Sequence, residues 1–235
     1  MSLGEYLGAG SGTTKLLLKL NGNANDDGGN SNNGTANGVT WGLSHGRFGQ
    51  GASFVAGSSS NIALPSALDT PLKNGSYTFG GWFDGQGAGF VALARGFVIA
   101  GVDHYGSQWF IGSSSVIFSR KIGTATNYSV SLSVTVPSSG YFCFIGTFDK
   151  SNGNVVVYIN GGIKGSGTIG GYGSDVAYHA SYDEGWRLGA LMRNLSNTFY
   201  THRQDMVFID NTIWTEKQVR NFYTWSLGRG VFAPS

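Results

Sequence analysis

Residues 141–162, YFCFIGTFDKSNGNVVVYINGG, constrain the fold of this chain more than any other stretch. Residues 141–148 are aromatic and β-branched, residues 149–154 (DKSNGN) supply turn chemistry, and residues 155–159 are again apolar and β-branched before Asn160-Gly161-Gly162. The pattern predicts two strands joined by a polar turn. A period of two puts Phe142, Phe144 and Phe148 on one face and Tyr141, Cys143, Ile145 and Thr147 on the other. Both faces are largely apolar, so the hairpin is expected to be covered on both sides, inside a sandwich.

The rest of the chain repeats this grammar. Residues 15–20 alternate as a first strand, and residues 21–38 are almost pure turn formers. Short strands are expected near Trp41, over 48–55 and over 61–64, and a longer one over 77–83. In the last, Gly80-Gly81 calls for a bulge or a close backbone approach. Four further pieces follow at 90–95, 97–102, 109–112 and 116–120. Strict Val/Leu and Ser/Thr alternation over 128–136 predicts a sheet with one wet face. Residues 164–184 form a Gly-rich loop; strands return at 186–191 and 205–210. Thr215 with Gln218 forms a capping box ahead of a short helix presenting Val219, Phe222 and Tyr223. The architecture expected is all-β, a single antiparallel two-sheet domain over residues 15–223. A Gly-rich arm (1–14) precedes it, and a tail (224–235) follows its one C-terminal helix.

Composition narrows the function. With 39 glycines, 12% charged residues and a formal charge of +2, the surface is polar but nearly uncharged, which argues against nucleic-acid and anionic-membrane partners. The single cysteine, Cys143, sits in an apolar strand and reads as a small buried hydrophobe. No apolar run reaches the length of a membrane span, and the first residues lack the pattern of a secretory leader. Asp26, Asp27 and Asn30 in the first loop are hard oxygen donors of the kind calcium takes, without EF-hand spacing.

In order, LLLKLNGNAND (16–26) with Asn30 and Gly34-Thr35, RFGQGASF (47–54), YTF with Trp82, GTFD through YING (146–161), Leu188-Gly189 and the strand-plus-helix of 205–223 resemble the laminin-G-like modules of the concanavalin A-like lectin/glucanase superfamily. The resemblance implies a two-sheet jelly roll. It also implies a calcium ion near the first loop, held here by Asp26, Asn30 and Asp205. The acidic pair usual before the last strand is Gln204-Asp205 in this chain, one carboxylate short.

Three function classes follow. Glycoside hydrolysis needs two carboxylates on one strand face, yet Glu occurs only at positions 5, 184 and 216, and Asp183 and Glu184 point to opposite faces of a strand. The four histidines lack zinc-site spacing. The chain is therefore read as non-enzymatic. A lectin-like module, extracellular or at a cell surface, would use loop aromatics and polar groups: Tyr172, Tyr178, His179, Tyr182, Asp183, Trp186 and Arg187, with Tyr105 and Trp109 next. The favoured reading is a structural or decoration protein of a phage or virus-like particle, with Tyr6, Leu7, Trp225, Val231 and Phe232 as anchors into other subunits. Recognition of a surface polysaccharide by the outer loops is compatible with that role.

Overall fold

The computed structural model describes residues 13–85, 89–99, 102–122, 126–174, 183–191 and 197–229. In chain order the strands are β1 (Thr14–Leu18), β2 (Thr35–Asn37), β3 (Thr40–Gly42), β4 (Gly51–Phe54) and β5 (Asn61–Ala63), followed by a short helix α1 (Asp69–Asn74). Then come β6 (Tyr77–Asp84), β7 (Phe90–Ile99), β8 (Val102–Ile111), β9 (Ser115–Ile122), β10 (Thr126–Ser133), β11 (Phe142–Phe148), β12 (Asn154–Ile159) and β13 (Gly162–Thr168). The chain closes with β14 (Asp183–Leu188), β15 (Ala190–Leu191), β16 (Thr198–Phe199), β17 (His202–Asp210) and helix α2 (Glu216–Arg229). Two antiparallel sheets face each other. One runs β13-β12-β11-β6-β17-β4-β3, with β1 also on β17; the other runs β10-β9-β8-β7-β14-β5-β2.

The hairpin lies where its two apolar faces require. Phe142, Phe144 and Phe148 enter the core between the sheets, with Tyr77, Phe79, Phe83, Trp109 and Phe118. Cys143 and Ile145 enter a second core on the outer face of the first sheet. That second core is roofed by α2, whose Val219 and Phe222 are fully buried against Phe208 and Trp214. Each such burial stabilises by roughly 1.5–3 kcal/mol. The capping box forms: Thr215 Oγ1 accepts from Gln218 N–H, and Gln218 Oε1 accepts from Thr215 N–H. Desolvation in the second core pushes the Cys143 thiol pKa far up, so it stays protonated and inert.

Several boundaries differ from the sequence reading. The pieces at 90–95 and 97–102 are not two strands. Residues 90–99 form one, β7, because a register shift at Arg95/Gly96 lets it pass the glycine without ending. Residues 164–168, expected as loop, extend β13. Helix α2 runs on through residues 224–229, expected as tail, because Trp225 and Leu227 continue its packing onto the second core. Helix α1 has only six residues, with Pro71 in its first turn, and no strong pattern announces it. The irregularity expected at Gly80-Gly81 is present, but the extra residue belongs to the facing strand. The β17–β6 register shifts between Asp205 and Phe208, where Met206 adopts φ 53°. A Cβ on Gly81 would come 3.1 Å from Met206 O, and one on Gly80 would come 2.8 Å from Phe144 O.

Candidate functional site

One rim of the sandwich carries a cleft of about 460 Å³, lined by Lys15, Ala67, Thr70, Pro71, Asn74, Gly75, Ser76 and Asn211. One wall is anchored in the core by the fully buried Leu68 and Leu72, and hydrogen bonds hold the rest. Thr14, beside Lys15, donates through Oγ1 to Asp210 Oδ2 (3.3 Å), and Asn211 N–H donates to Thr13 O (2.9 Å). The other Asp210 oxygen accepts from Thr212 N–H and Oγ1–H (2.8 and 2.6 Å). Ser76 Oγ accepts from Lys150 N–H (2.8 Å), and the Lys150 ammonium donates to Asn74 O (2.9 Å). Asp149, against Ser76 and Ser151, has its pKa lowered, chiefly by the Ser151 hydroxyl, and stays ionised.

Arg120 ties the next loop to this rim. It is fully buried, 4.4 Å over the Phe148 ring, and donates to Lys73 O (3.0 Å), Tyr172 O (3.3 Å) and Ser174 O (3.4 Å). Tyr172 is 37% exposed, and its ring lies against Gly153, where a Cβ would come 2.5 Å away. Tyr172 thus stands at the rim as an accessible aromatic, one guanidinium away from α1. The sequence reading missed Arg120. Its signal was parity, since Val116, Phe118 and Arg120 share the core face of β9, where a charge is out of place.

The remaining expected glycan contacts do not gather here. Trp186 is buried (1% exposed) beneath Arg95, and Trp109 is buried with its Nε1–H on Tyr77 Oη (3.2 Å), so neither ring can stack on a sugar. Arg187 is half-buried and donates to Trp186 O, and Asp183 opens β14 opposite Phe97. Tyr178, His179 and Tyr182 lie outside the described residues, as do the anchors Tyr6, Leu7, Val231 and Phe232. Trp225, the remaining anchor, is half-buried against the second core.

The calcium expectation named Asp26, Asn30 and Asp205. Both Asp26 oxygens are engaged by backbone donors, Oδ1 by Leu17 and Gly28 and Oδ2 by Asn32. Asn30 turns its amide nitrogen to Thr14 O (2.7 Å). Asp205 Oδ2 instead accepts from Arg47 and Phe48 N–H (2.7 and 2.9 Å). These hydrogen bonds engage both Asp26 oxygens and one of Asp205's, and among the described residues no group of three or more His, Cys, Asp or Glu could hold a metal. Asn30 and Asn32 brace β1 instead, each through a backbone carbonyl beside or at Lys15.

A second polar cluster lies on the outer face of the first sheet. The pairing of Arg203 with Asp84 and Ser53 lines up Asp84, Arg203 and Ser53 as one row, with Asp205 in the next and Tyr141 within electrostatic reach of Asp205, Arg203 and Asp84. Arg203 and Asp84 are 3.6 Å apart, and Tyr141 donates its hydroxyl to His45 O. Desolvation pushes Asp205 up to about 6, against the opposing pull of its amide donors and of Arg47.

No protein-family model and no curated protein matches this chain. Solved structures do. The binding domain of botulinum neurotoxin DC, solved with rat synaptotagmin II, superposes with a TM-score of 0.65 at 12% identity, covering 91% of this chain and 51% of that one. The binding domain of Paraclostridial Mosquitocidal Protein 1 gives 0.64 at 14% identity over 91% and 52%. A botulinum neurotoxin type C structure, titled for cell entry dependent upon interaction with two ganglioside molecules, gives 0.65 at 12% over 95% and 53%. At such identities the likeness establishes the fold, and this chain spans about half the length of those it matches. The class is settled: an antiparallel two-sheet jelly-roll sandwich, of the architecture found in those binding domains.

Proposed function

We propose that the chain is a non-enzymatic carbohydrate-recognition module of the laminin-G-like kind, with the rim cleft as its saccharide site. The observation that carries this reading is the cleft's lining: two carboxamides, two hydroxyls and one ammonium, carried on a backbone braced by hydrogen bonds, in a volume within the range of ligand sites. Sugar hydroxyls need donors and acceptors already in place, because ordering them on binding would consume the gain. The carboxylates beside the cleft, Asp149 and Asp210, are engaged by local amides and hydroxyls, which supports binding over hydrolysis. The fold is shared with toxin binding domains, one of them described by its dependence on gangliosides.

We further propose that the module is displayed on a larger assembly, a virion being the setting its composition favours, with a surface polysaccharide and other subunits as partners. The nearly uncharged Gly-rich surface supports this, and Trp225 already packs on its own domain, leaving Tyr6, Leu7, Val231 and Phe232 as the anchors. The first test is calorimetric titration with neutral and acidic oligosaccharides. Asn74→Ala with Asn211→Ala should raise Kd roughly tenfold or more, since each lost hydrogen bond is worth about 1 kcal/mol. A panel without binding, or a double variant that binds like the parent, would sink the reading. A chelator arm tests whether an ion contributes.

A further inference from the structure

The strands that end the two sheet orders are unequal. Edge strands expose unpaired backbone N–H and C=O groups, and monomeric proteins blunt them with short strands, charges, prolines or bulges. On one side of the sandwich the edges are β2 and β3, each only three residues long. On the other side β13 is guarded by Lys164 and by a register shift against β12. The fourth edge, β10, has none of these devices. Its pairing with β9 is regular over eight consecutive residues, from Thr126–Ile122 to Ser133–Ser115, and the inner hydrogen bonding continues to Val134 and Val136. Among the described residues β9 is the sole strand that pairs with it.

Its side chains reinforce the point. Residues 122–148 contain no charged residue, so no like charges meet when two copies approach. The outward side chains of Asn127, Ser129, Ser131 and Ser133 are small, polar and exposed. On the inward side Leu132 is buried, while Tyr128 and Val130 pack on the core but stay only partly covered. An added strand would pair the free backbone and complete the cover over those two residues.

We propose that β10 is a self-association edge: two copies of this chain pair their β10 strands antiparallel about a twofold axis, continuing the seven-stranded sheet from one copy into the next. The occupant is a second copy because an uncharged, regular strand is complementary to itself, and a twofold brings the same exposed serine row together from both sides. The pairing is independent of the rim cleft.

The test uses the full chain and light scattering after size exclusion. Wild type should run as a dimer that dissociates on dilution. Ser129→Lys with Ser131→Lys places like charges across the new pair and should give a monomer; Ser129→Glu with Ser131→Glu should do the same. Mixing the two variants should restore the dimer as a heterodimer. Both sites are exposed, so at dilutions where the parent is monomeric the thermal unfolding of each variant should match it, which separates loss of pairing from loss of fold. A wild-type monomer up to its solubility limit would overturn the proposal. So would a dimer indifferent to both variants, or a mixture that stays monomeric.

Discussion

Alternate residues of β17 live in two different chemical settings. His202 and Gln204 point between the sheets; Arg203 and Asp205 point to the outer face. His202 is fully buried between the rings of Phe54 and Phe90, with centroids 4.7 and 4.5 Å away. Its Nδ1–H donates to Tyr200 O, and its Nε2 accepts from Gln204 Nε2–H (2.7 Å), which fixes a neutral tautomer. Desolvation lowers its pKa to about 3. Asp205 is also buried (2% exposed), yet it accepts two backbone amides beside Arg47, and its pKa is raised to about 6. Burial opposes the charged form of each group. Since one is a base and the other an acid, the same cause gives opposite pH dependences.

His202 contributes stability that is whole above its unfolded pKa of about 6.5 and is lost as pH falls towards 3. Asp205 acts the other way: its contribution is whole below about 3.8 and is lost as pH rises through 6. Between about pH 6 and 4 the two slopes cancel, so wild type should be nearly flat there as far as this strand is concerned.

The largest effect is expected from Asp205→Asn, which keeps an acceptor for both amides and removes the buried charge. It should raise stability at pH 7.5 by up to roughly 3 kcal/mol, a gain that vanishes near pH 4. Urea unfolding across pH would read it, and equal gains at both pH values would break the account. His202→Gln removes the opposing slope. Relative to wild type it should gain up to roughly 3 kcal/mol between pH 7 and pH 4, whatever its cost at neutral pH. The smallest effect is expected from Arg203→Met. The Arg203 guanidinium is about one-third exposed but Asp84 is buried, so losing the pair should cost roughly 1–2 kcal/mol, with the shape of the pH profile kept. A larger loss, or a shifted apparent Asp205 pKa, would mean that the outer row titrates as a unit.

Much of the fold was legible because large apolar residues at period two leave few options. Residues 141–159 declared two covered faces, and 128–136 one wet face. What covered the outer face was less legible, because Ser226 and Gly228 weaken the helical pattern that Trp225 and Leu227 extend by packing. The site was mostly hidden. Its cleft draws mostly small polar residues from three segments far apart in the chain, none with a distinctive spacing. Tyr172 and Asn30 were noticed for other reasons, one as a stacking ring and the other as an ion ligand, and the structure puts them on and behind the rim. Trp186 misled because an aromatic flanked by charges looks like a surface residue until the strand's parity is known.

The bulge at Met206 has one more consequence. β17 hydrogen-bonds with β1, β4 and β6, so its alignment sets that of much of the larger sheet. A slip by two residues would keep every apolar side chain on its proper face, and hydrophobic patterning alone would not reject it. The bulge, however, sits opposite Gly80-Gly81, where a Cβ on Gly81 would come 3.1 Å from Met206 O and Val207 Cα, and one on Gly80 would come 2.9 Å from the Phe208 ring. Any other alignment sets it against Phe79, Trp82 or another side chain. The glycine pair therefore works as an indexing notch, giving a strand near the C-terminal end of the chain a single position in which to lock.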